Sequence, residues 1–202
     1  RYAHGRSTDD NVMTHVTLKP SRFFSIFKIL TVYHSDFKRV KQLLLKENDW
    51  LWKTLVYGSY LDFNLIKKIK VKYTEIASLF DDKSSSFAKG TGLQYSSKPE
   101  YDASHLLGKD FIESSGVKGF FIDPDKIVPF DEPKVHRLRN PELFSAPILL
   151  TLKGADMQTL TIKAALSMKD LLYKDAITGI KGDISALRSI QGILSSSIAP
   201  YF

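Results

Sequence analysis

The pattern of apolar and polar positions divides the chain into a helical first part and a second part of short strands. From Thr17 to Tyr33 apolar residues alternate unevenly with polar ones, which predicts one or two strands that complete an upstream sheet. From Asp36 to about Glu47 they recur at helical spacing, so we expect Asp36 to cap a helix with a basic outer surface. Asp49 is expected to cap a second helix.

Local signals then mark the ends of the helices. Gly58 is predicted to end the second helix in the left-handed conformation. Ser59 and Asp62 have the spacing of a capping box, which predicts a third helix over residues 61–69 with its leucine and isoleucines facing inward. A short helix over residues 74–80 gives way to a stretch rich in Ser, Gly and Lys.

The pattern changes near Lys72, where we place a domain boundary between residues 1–72 and 73–202. Short apolar runs punctuated by Gly and Pro predict strands of a mixed sheet. These runs cover residues 119–122, 127–129, 147–152, 159–165 and 171–173. Asp183 is expected to cap a closing helix that Pro200 stops. The expected fold class is therefore α+β, a helical connector followed by a mixed-sheet domain closed by a C-terminal helix.

The charge of the chain suggests a class of partner. A net charge of +7 favours a polyanion, nucleic acid first, because each Lys or Arg placed on a phosphate releases a counterion. Residues 1–72 hold fourteen Lys and Arg against six Asp and Glu, whereas residues 73–202 hold fifteen against sixteen. The surplus therefore lies in the first part, where solvated helix faces would explain it equally well.

Composition removes several classes of protein. The absence of cysteine excludes disulfides, thiolate zinc sites and cysteine nucleophiles, and it suits a cytoplasmic protein. No apolar window approaches the roughly 18 residues that a membrane helix requires, so no membrane partner is expected. The first residues lack an initiator Met and a signal pattern, so we expect the chain to be part of a longer protein.

The sequence contains only incomplete matches to catalytic motifs. The Asn-Pro-Glu run at residues 140–142 lacks the second proline and the aromatic residue of a base-gripping loop, and Gly90 and Gly92 are predicted to lie in a loop. Pro124, Asp125 and Glu132 supply parts of a magnesium nuclease, but Pro133 cannot donate to a central ladder. The histidines lack the spacing of metal ligands. We expect no catalytic, cofactor-binding or metal-binding residue in this chain.

Two polar segments, residues 89–95 and 134–139, have a composition suited to reading DNA. The first combines a cation, small residues and a glutamine that matches the N6/N7 edge of adenine, and the second alternates basic side chains along an extended run. The candidate DNA contacts are Lys89, Gln94, Tyr95, Lys98, Arg137 and Arg139. A mobile loop and a solvated edge strand are the alternative interpretations of these segments.

Six passages in chain order carry a resemblance to a known family. They are residues 48–53 (Asn-Asp-Trp-Leu-Trp-Lys), 57–59 (Tyr-Gly-Ser) with Asp62, 89–94 (Lys-Gly-Thr-Gly-Leu-Gln), 137–150 (Arg-Leu-Arg-Asn-Pro-Glu-Leu-Phe-Ser-Ala-Pro-Ile-Leu-Leu), 175–180 (Asp-Ala-Ile-Thr-Gly-Ile) and 193–202 (Ile-Leu-Ser-Ser-Ser-Ile-Ala-Pro-Tyr-Phe). This order resembles the C-terminal target-recognition region of bacterial adenine-specific DNA methyltransferases of fused type II restriction-modification systems. Ser195 stands where that family more often has Asn.

The resemblance implies a division of labour with an upstream catalytic domain. That domain would bind S-adenosylmethionine and methylate adenine, while residues 73–202 would recognise double-stranded DNA, and no cofactor is expected in this fragment. Two alternatives remain open: a specificity-subunit domain of a multi-subunit restriction system, and a protein-interaction module that does not bind DNA.

Overall fold

The computed structural model describes residues 11–18, 22–81, 86–95, 98, 101–156, 161–196 and 199. Helices and several small sheets make up the described chain, which is an α+β fold. It divides between Tyr73 and Thr74 into two compact units.

The first unit consists of a two-stranded ribbon and short helices. Its elements are β1 (Val12–Val16), α1 (Arg22–Phe27), β2 (Phe37–Lys41), α2 (Gln42–Glu47), α3 (Leu51–Tyr57) and α4 (Tyr60–Lys72). The strands β1 and β2 pair antiparallel. The Oγ1 atom of Thr17 donates to the carbonyl of Leu55 at 3.0 Å, and Lys38 Nζ donates to that of Gly58 at 2.7 Å. These bonds hold the ribbon against the C-terminal end of α3.

Several sequence expectations for the first unit are wrong. Residues 22–27 form a helix instead of a strand, because apolar residues at Phe23 and Phe27 also satisfy helical spacing and their rings stack at 6.2 Å. The helix expected from Asp36 begins only at Gln42, since the five residues before it pair with β1. Gly58 has a φ of −103°, so α3 ends without a left-handed residue.

The capping box at the start of α4 is confirmed. The backbone N–H of Ser59 donates to Oδ2 of Asp62 at 2.5 Å, and the Ser59 hydroxyl donates to the same atom at 2.7 Å. The helix runs to Lys72, beyond the expected end at residue 69. Of its apolar residues, Ile66 is buried, whereas Leu65 is exposed and the expectation that it faces inward is wrong.

The second unit is built on a four-stranded antiparallel sheet. Its elements are β3 (Ala88–Thr91), β4 (Tyr101–Asp102), β5 (Asp110–Ile112), β6 (Ile127–Pro129), β7 (Lys134–Val135), β8 (Ile148–Leu152), β9 (Ala164–Ser167), β10 (Leu172–Tyr173), β11 (Ile177–Lys181) and α5 (Ile184–Leu194). The main sheet has the order β3-β11-β8-β9. A three-stranded sheet has the order β10-β5-β6, in which β10 is parallel to β5, and β4 pairs with β7.

Both faces of the main sheet are buried. Along β8, Ile148 and Leu150 belong to the larger hydrophobic cluster, whereas Leu149 between them packs with Leu187 and Ile190 of α5. This is the alternation that a strand imposes, and it explains why β8 is apolar at three consecutive positions. Tyr173 and Phe144 lie in the larger cluster, with their ring centroids 5.0 Å apart.

Several expectations for the second unit hold, and others need correction. Strands lie at residues 127–129, 148–152 and 172–173, as predicted, and Asp183 caps α5 by accepting from the N–H groups of Ser185 and Ala186. The helix ends at Leu194, and Pro200 lies outside the described residues. The strand expected over residues 159–165 is observed over 164–167, with 157–160 outside the described part. Residues 76–80 form a 3-10 helix.

The glycine-containing run after residue 87 is a strand, and the expectation of a loop there is wrong. Gly90 and Gly179 are opposite each other in the β3–β11 pair. A Cβ atom on Gly90 would overlap the side chain of Leu143, and one on Gly92 would overlap the carbonyl of Tyr173. These glycines are thus explained by close packing rather than by a turn.

Candidate nucleic-acid interface

The two polar segments that the sequence singled out are neighbours in the second unit. Gln94 and Arg137 form an isolated antiparallel bridge. The carbonyl of Gln94 accepts from the N–H of His136 at 2.9 Å and from that of Arg137 at 3.4 Å. We call this junction the Gln94–Arg137 bridge.

Buried backbone contacts fix the first segment in place. Leu93 is fully buried, its N–H donates to the carbonyl of Tyr173 at 2.8 Å, and its carbonyl accepts from Asp175 N–H at 2.9 Å. The N–H of Gly92 donates to the carbonyl of Ile177 at 3.2 Å. The bridge is therefore attached to the core through a backbone that has no room to shift.

Arg139 joins the second segment to the first by a side-chain bond. Its Nε–H donates to the carbonyl of Gly92 at 3.1 Å, and the residue is half-buried. A guanidinium group has five N–H donors, so this bond leaves four for other acceptors. Arg137 is exposed beside it. The side chain of Arg139 is thus held by a hydrogen bond, whereas that of Arg137 extends into solvent.

The sequence has no match among family models or among curated proteins. In the described part of the chain, no helix has both the length and the apolar character needed to cross a membrane. Within the same residues, no three His, Asp or Glu side chains come together as metal ligands would.

Polar groups at the bridge are left unused by the described chain. The side-chain amide of Gln94 takes part in none of the hydrogen bonds found among the described residues, and the residue is only half-buried. The Nδ1 atom of His136 is buried there without a hydrogen-bond partner. A half-buried amide with free donor and acceptor is suited to pair with a base edge.

Tyr95, next to Gln94 in the chain, packs against the larger hydrophobic cluster. Its ring centroid lies 5.9 Å from that of Phe111 and 6.3 Å from that of Phe130. Burial raises the pKa of the Tyr95 phenol well above its usual value, and nearby carboxylates raise it further. Those carboxylates belong to Glu132, Glu113, Asp131 and Asp175. Acidic side chains are therefore close enough to Tyr95 to act on its phenol.

Lys174 partly offsets that negative charge. Its Nζ atom forms an ion pair with Glu113 at 2.8 Å and lies 5.4 Å from the centre of the Tyr95 ring. Sequence reasoning missed this residue, because only the parallel bridge between Leu93 and Lys174 brings it close to Tyr95.

The other two candidate contacts are Lys89 and Lys98. Lys89 is exposed on β3, and its Nζ atom lies 4.6 Å from the centre of the Phe80 ring. Lys98 is exposed between residues that the structure does not describe. The contact between Lys89 and Phe80 does not involve the Gln94–Arg137 bridge.

Two of the segments that resemble incomplete catalytic motifs form turns. Asn140 Oδ1 accepts from the N–H of Glu142 at 3.1 Å at the start of a 3-10 turn, and Asp123 caps another by accepting from Asp125 N–H at 3.2 Å. Gly90 offers no cradle for a cofactor, because Leu143 fills the space beside it.

A pair of exposed aromatic residues was not predicted. Residues 119–122 were expected to form a strand and instead lie in a turn closed by the bridge between Val117 and Ile122, with Phe120 and Phe121 exposed. The strand expectation is wrong because Gly119 before the rings and Pro124 after them favour a turn.

Proposed function

We propose that this chain is the DNA target-recognition region of an adenine-specific DNA methyltransferase of the fused type II restriction-modification kind, acting in the cytoplasm on double-stranded DNA. The observation that carries the proposal is the pairing of Gln94 with Arg137, two residues from the Gly92 carbonyl to which Arg139 donates. Residues 73–202 would read DNA, and residues 1–72 would connect them to the catalytic domain. The proposed contacts are Lys89, Gln94, Tyr95, Lys98, Arg137 and Arg139, with Gln94 and the two arginines at the centre.

The chemistry of these three side chains suits base and phosphate contacts. An amide that donates and accepts side by side matches the N6/N7 edge of adenine in the major groove. The guanidinium groups match phosphate oxygens or the O6/N7 edge of guanine. Fixing Arg139 on the Gly92 carbonyl lowers the entropy that it would lose on binding.

The sign of the surrounding charge supports one orientation of the duplex. Phosphates would approach Arg137 and Arg139, whereas the carboxylates around Tyr95 would repel them. Base contacts by Gln94 would then lie between an attractive and a repulsive region. Such an arrangement favours one register over a sliding, non-specific mode.

The proposal assigns methyl transfer to a separate catalytic domain. S-adenosylmethionine would bind there, since Gly90 and Gly92 are packed against Leu143 and Tyr173 and do not fit a cofactor. The first unit exposes large apolar side chains, among them Tyr57 and Val71 at 82% each, and a neighbouring domain would cover them. The isolated chain is therefore expected to bind DNA and transfer no methyl group.

Binding to duplex DNA tests the proposal directly. The full chain is titrated into labelled duplexes of random sequence, bound duplexes are selected and sequenced, and affinity is measured by fluorescence anisotropy at several salt concentrations. We expect enrichment of an adenine-containing sequence and an affinity that falls steeply with salt. Arg137→Gln with Arg139→Gln should weaken binding and lower the salt slope by about 2, as expected for two lost phosphate contacts.

A matched control removes the same charge elsewhere. Lys109→Gln with Lys153→Gln changes two exposed cations of the same unit and should leave the affinity within about twofold. Absence of binding, or binding that does not depend on salt, would instead support a protein-interaction module, which the exposed apolar residues of the first unit would then serve.

A further inference from the structure

The turn between Val117 and Ile122 presents two aromatic rings to solvent. The N–H of Lys118 donates to the carbonyl of Phe121 at 3.0 Å and closes the turn. Phe120 is 65% exposed and Phe121 is 60% exposed, whereas Val117 at the start of the turn is buried. A Cβ atom on Gly119 would meet nothing within 4 Å, so the tip projects into open space.

The closing helix α5 holds this turn by two side-chain hydrogen bonds. Gln191 Nε2 donates to the carbonyl of Phe120 at 3.1 Å and to that of Ala164 at 3.0 Å. Ser195 Oγ donates to the carbonyl of Gly119 at 3.2 Å. The rings are therefore carried by a backbone that is tied both to a helix and to the main sheet. Such fixing reduces the entropy that insertion of the rings would cost.

Cationic residues occur both in the turn and on the helix that holds it. Arg188 is exposed and lies on the side of α5 that Gln191 and Ser195 share, since the three residues are spaced by three and four. Lys118 lies at the base of the turn, where it forms an ion pair with Asp123 at 3.7 Å. Exposed Lys126 and Asp125 follow in the same segment and balance each other. Arg188 is therefore the exposed cation on the face of α5 that holds the turn.

The exposed apolar surface of the two rings is small enough to enter a single base step. A phenylalanine buries about 150–250 Å² when it is fully covered, so these two rings expose roughly 200–300 Å² together. A stable protein interface covers ~800 Å² of each partner, of which the two rings would supply only a part. One or two apolar side chains beside a cation are, however, sufficient to enter a base step from the minor groove.

We propose that Phe120 and Phe121 form an apolar wedge that enters a base step of duplex DNA and bends it, while Arg188 binds an adjacent phosphate. This inference rests on the proposed function and deepens it, because it adds a shape-dependent contact to the base contacts at the Gln94–Arg137 bridge. A wedge favours steps that unstack easily, so it would select pyrimidine–purine steps without hydrogen bonds to their bases.

The test measures base stacking and DNA bending separately from affinity. The full chain is mixed with duplexes of the selected sequence that carry 2-aminopurine at successive positions, and with a duplex labelled at both ends for energy transfer. We expect the fluorescence of 2-aminopurine to rise several-fold at one step and the distance between the ends to shorten. Phe120→Ala with Phe121→Ala should abolish both signals and weaken binding about tenfold, with the salt slope unchanged.

Two further variants separate insertion from folding and from general apolar surface. Phe120→Trp with Phe121→Trp keeps aromatic rings and should retain the fluorescence rise. Val128→Ala with Met168→Ala removes two other exposed apolar side chains of the same unit and should leave both signals as in the original chain. Arg188→Gln should lower the salt slope by about 1.

Each remaining outcome counts against the wedge. Salt-dependent binding without a rise in fluorescence or a bend would refute the wedge and leave the proposed function standing. No binding to any duplex would refute both. A shift from dimer to monomer on Phe120→Ala with Phe121→Ala in analytical ultracentrifugation would assign the rings to an interface between two copies of this chain.

Discussion

Arg139 donates from Nε to the carbonyl oxygen of Gly92 at 3.1 Å, across 47 residues of sequence. The bond joins the two segments proposed to read DNA, and the backbone that accepts it is buried. Arg139 therefore has a structural role in addition to its proposed contact with DNA, whereas exposed Arg137 has no such role.

That difference predicts separate effects of two substitutions. Arg139→Ala should lower the free energy of unfolding by about 1–2 kcal/mol, because it leaves a buried carbonyl without its partner. Arg137→Ala should change stability by less than about 0.5 kcal/mol, as is usual for an exposed side chain. Urea unfolding followed by circular dichroism measures both values. Equal losses would mean that the Arg139 bond contributes nothing to the fold.

Two glycines should respond in opposite directions to alanine. Gly92→Ala places a methyl group against the carbonyl of Tyr173 and should destabilise the chain by roughly 2–4 kcal/mol. Gly192→Ala lies in α5 with open space around it and should stabilise by about 0.5–1 kcal/mol, because alanine is the better helix former. Thermal unfolding of both variants measures these two changes in stability. A Gly92→Ala protein as stable as the original chain would contradict the close packing at Tyr173.

Stability should fall at alkaline pH because of Tyr173. Burial raises the pKa of its phenol above the ordinary value of 10.0. The folded state thus favours the protonated form, so this contribution is complete below pH 10 and is lost as pH rises towards the folded pKa. Tyr95 has a raised pKa as well and contributes in the same direction.

The variant Tyr173→Phe isolates the contribution of Tyr173 to the loss of stability at alkaline pH. At pH 7 the variant should lose about 0.5–1.5 kcal/mol, because the hydroxyl no longer bonds to the carbonyls of Gly90 and Leu143. Between pH 10 and 11 its free energy of unfolding should decline less steeply than that of the original chain. Urea titrations across this range measure both slopes, and parallel slopes would rule out a role for Tyr173 ionisation.

The cap of α5 gives a further prediction. Asp183 Oδ2 accepts from the N–H groups of Ser185 and Ala186 at 2.9 and 3.1 Å. Asp183→Ala should cost about 1 kcal/mol, up to 2, since both donors lose their acceptor. Asp110→Ala, which removes an exposed carboxylate from β5, serves as the control. An unchanged midpoint for Asp183→Ala in thermal unfolding would show that water replaces the cap without loss.

Local signals in the sequence predicted the parts of the fold that depend on neighbours in the chain. The capping box of Ser59 with Asp62, the cap at Asp183 and the apolar run of β8 need no distant partner to be recognised. The segment from residue 37 to 41 has helical spacing, yet it pairs with β1 and forms a strand. Tertiary pairing outweighs intrinsic preference there, and one sequence does not reveal the pairing partner.

The candidate site likewise depends on tertiary contacts that the sequence does not reveal. Composition singled out Gln94, Arg137 and Arg139, but their meeting depends on a bridge between residues 43 positions apart. The glycines at 90 and 92 suggested a loop, because nothing in the sequence indicates that Leu143 and Tyr173 fill the space beside them. The exposure of Phe120 and Phe121 was equally hidden, since exposed aromatic rings and core rings look alike in a sequence.

Strand β8 has side chains in two hydrophobic clusters at once, Ile148 and Leu150 in one and Leu149 in the other. A shift of one residue along this strand would turn every side chain towards the wrong cluster. Inserted or deleted residues should therefore be tolerated in the loops that connect the strands, whereas within β8 they should destabilise the sheet. If the proposed function is right, a change of DNA specificity would come from exchanging residues around Gln94 and Arg137 while the sheet beneath them keeps its alignment.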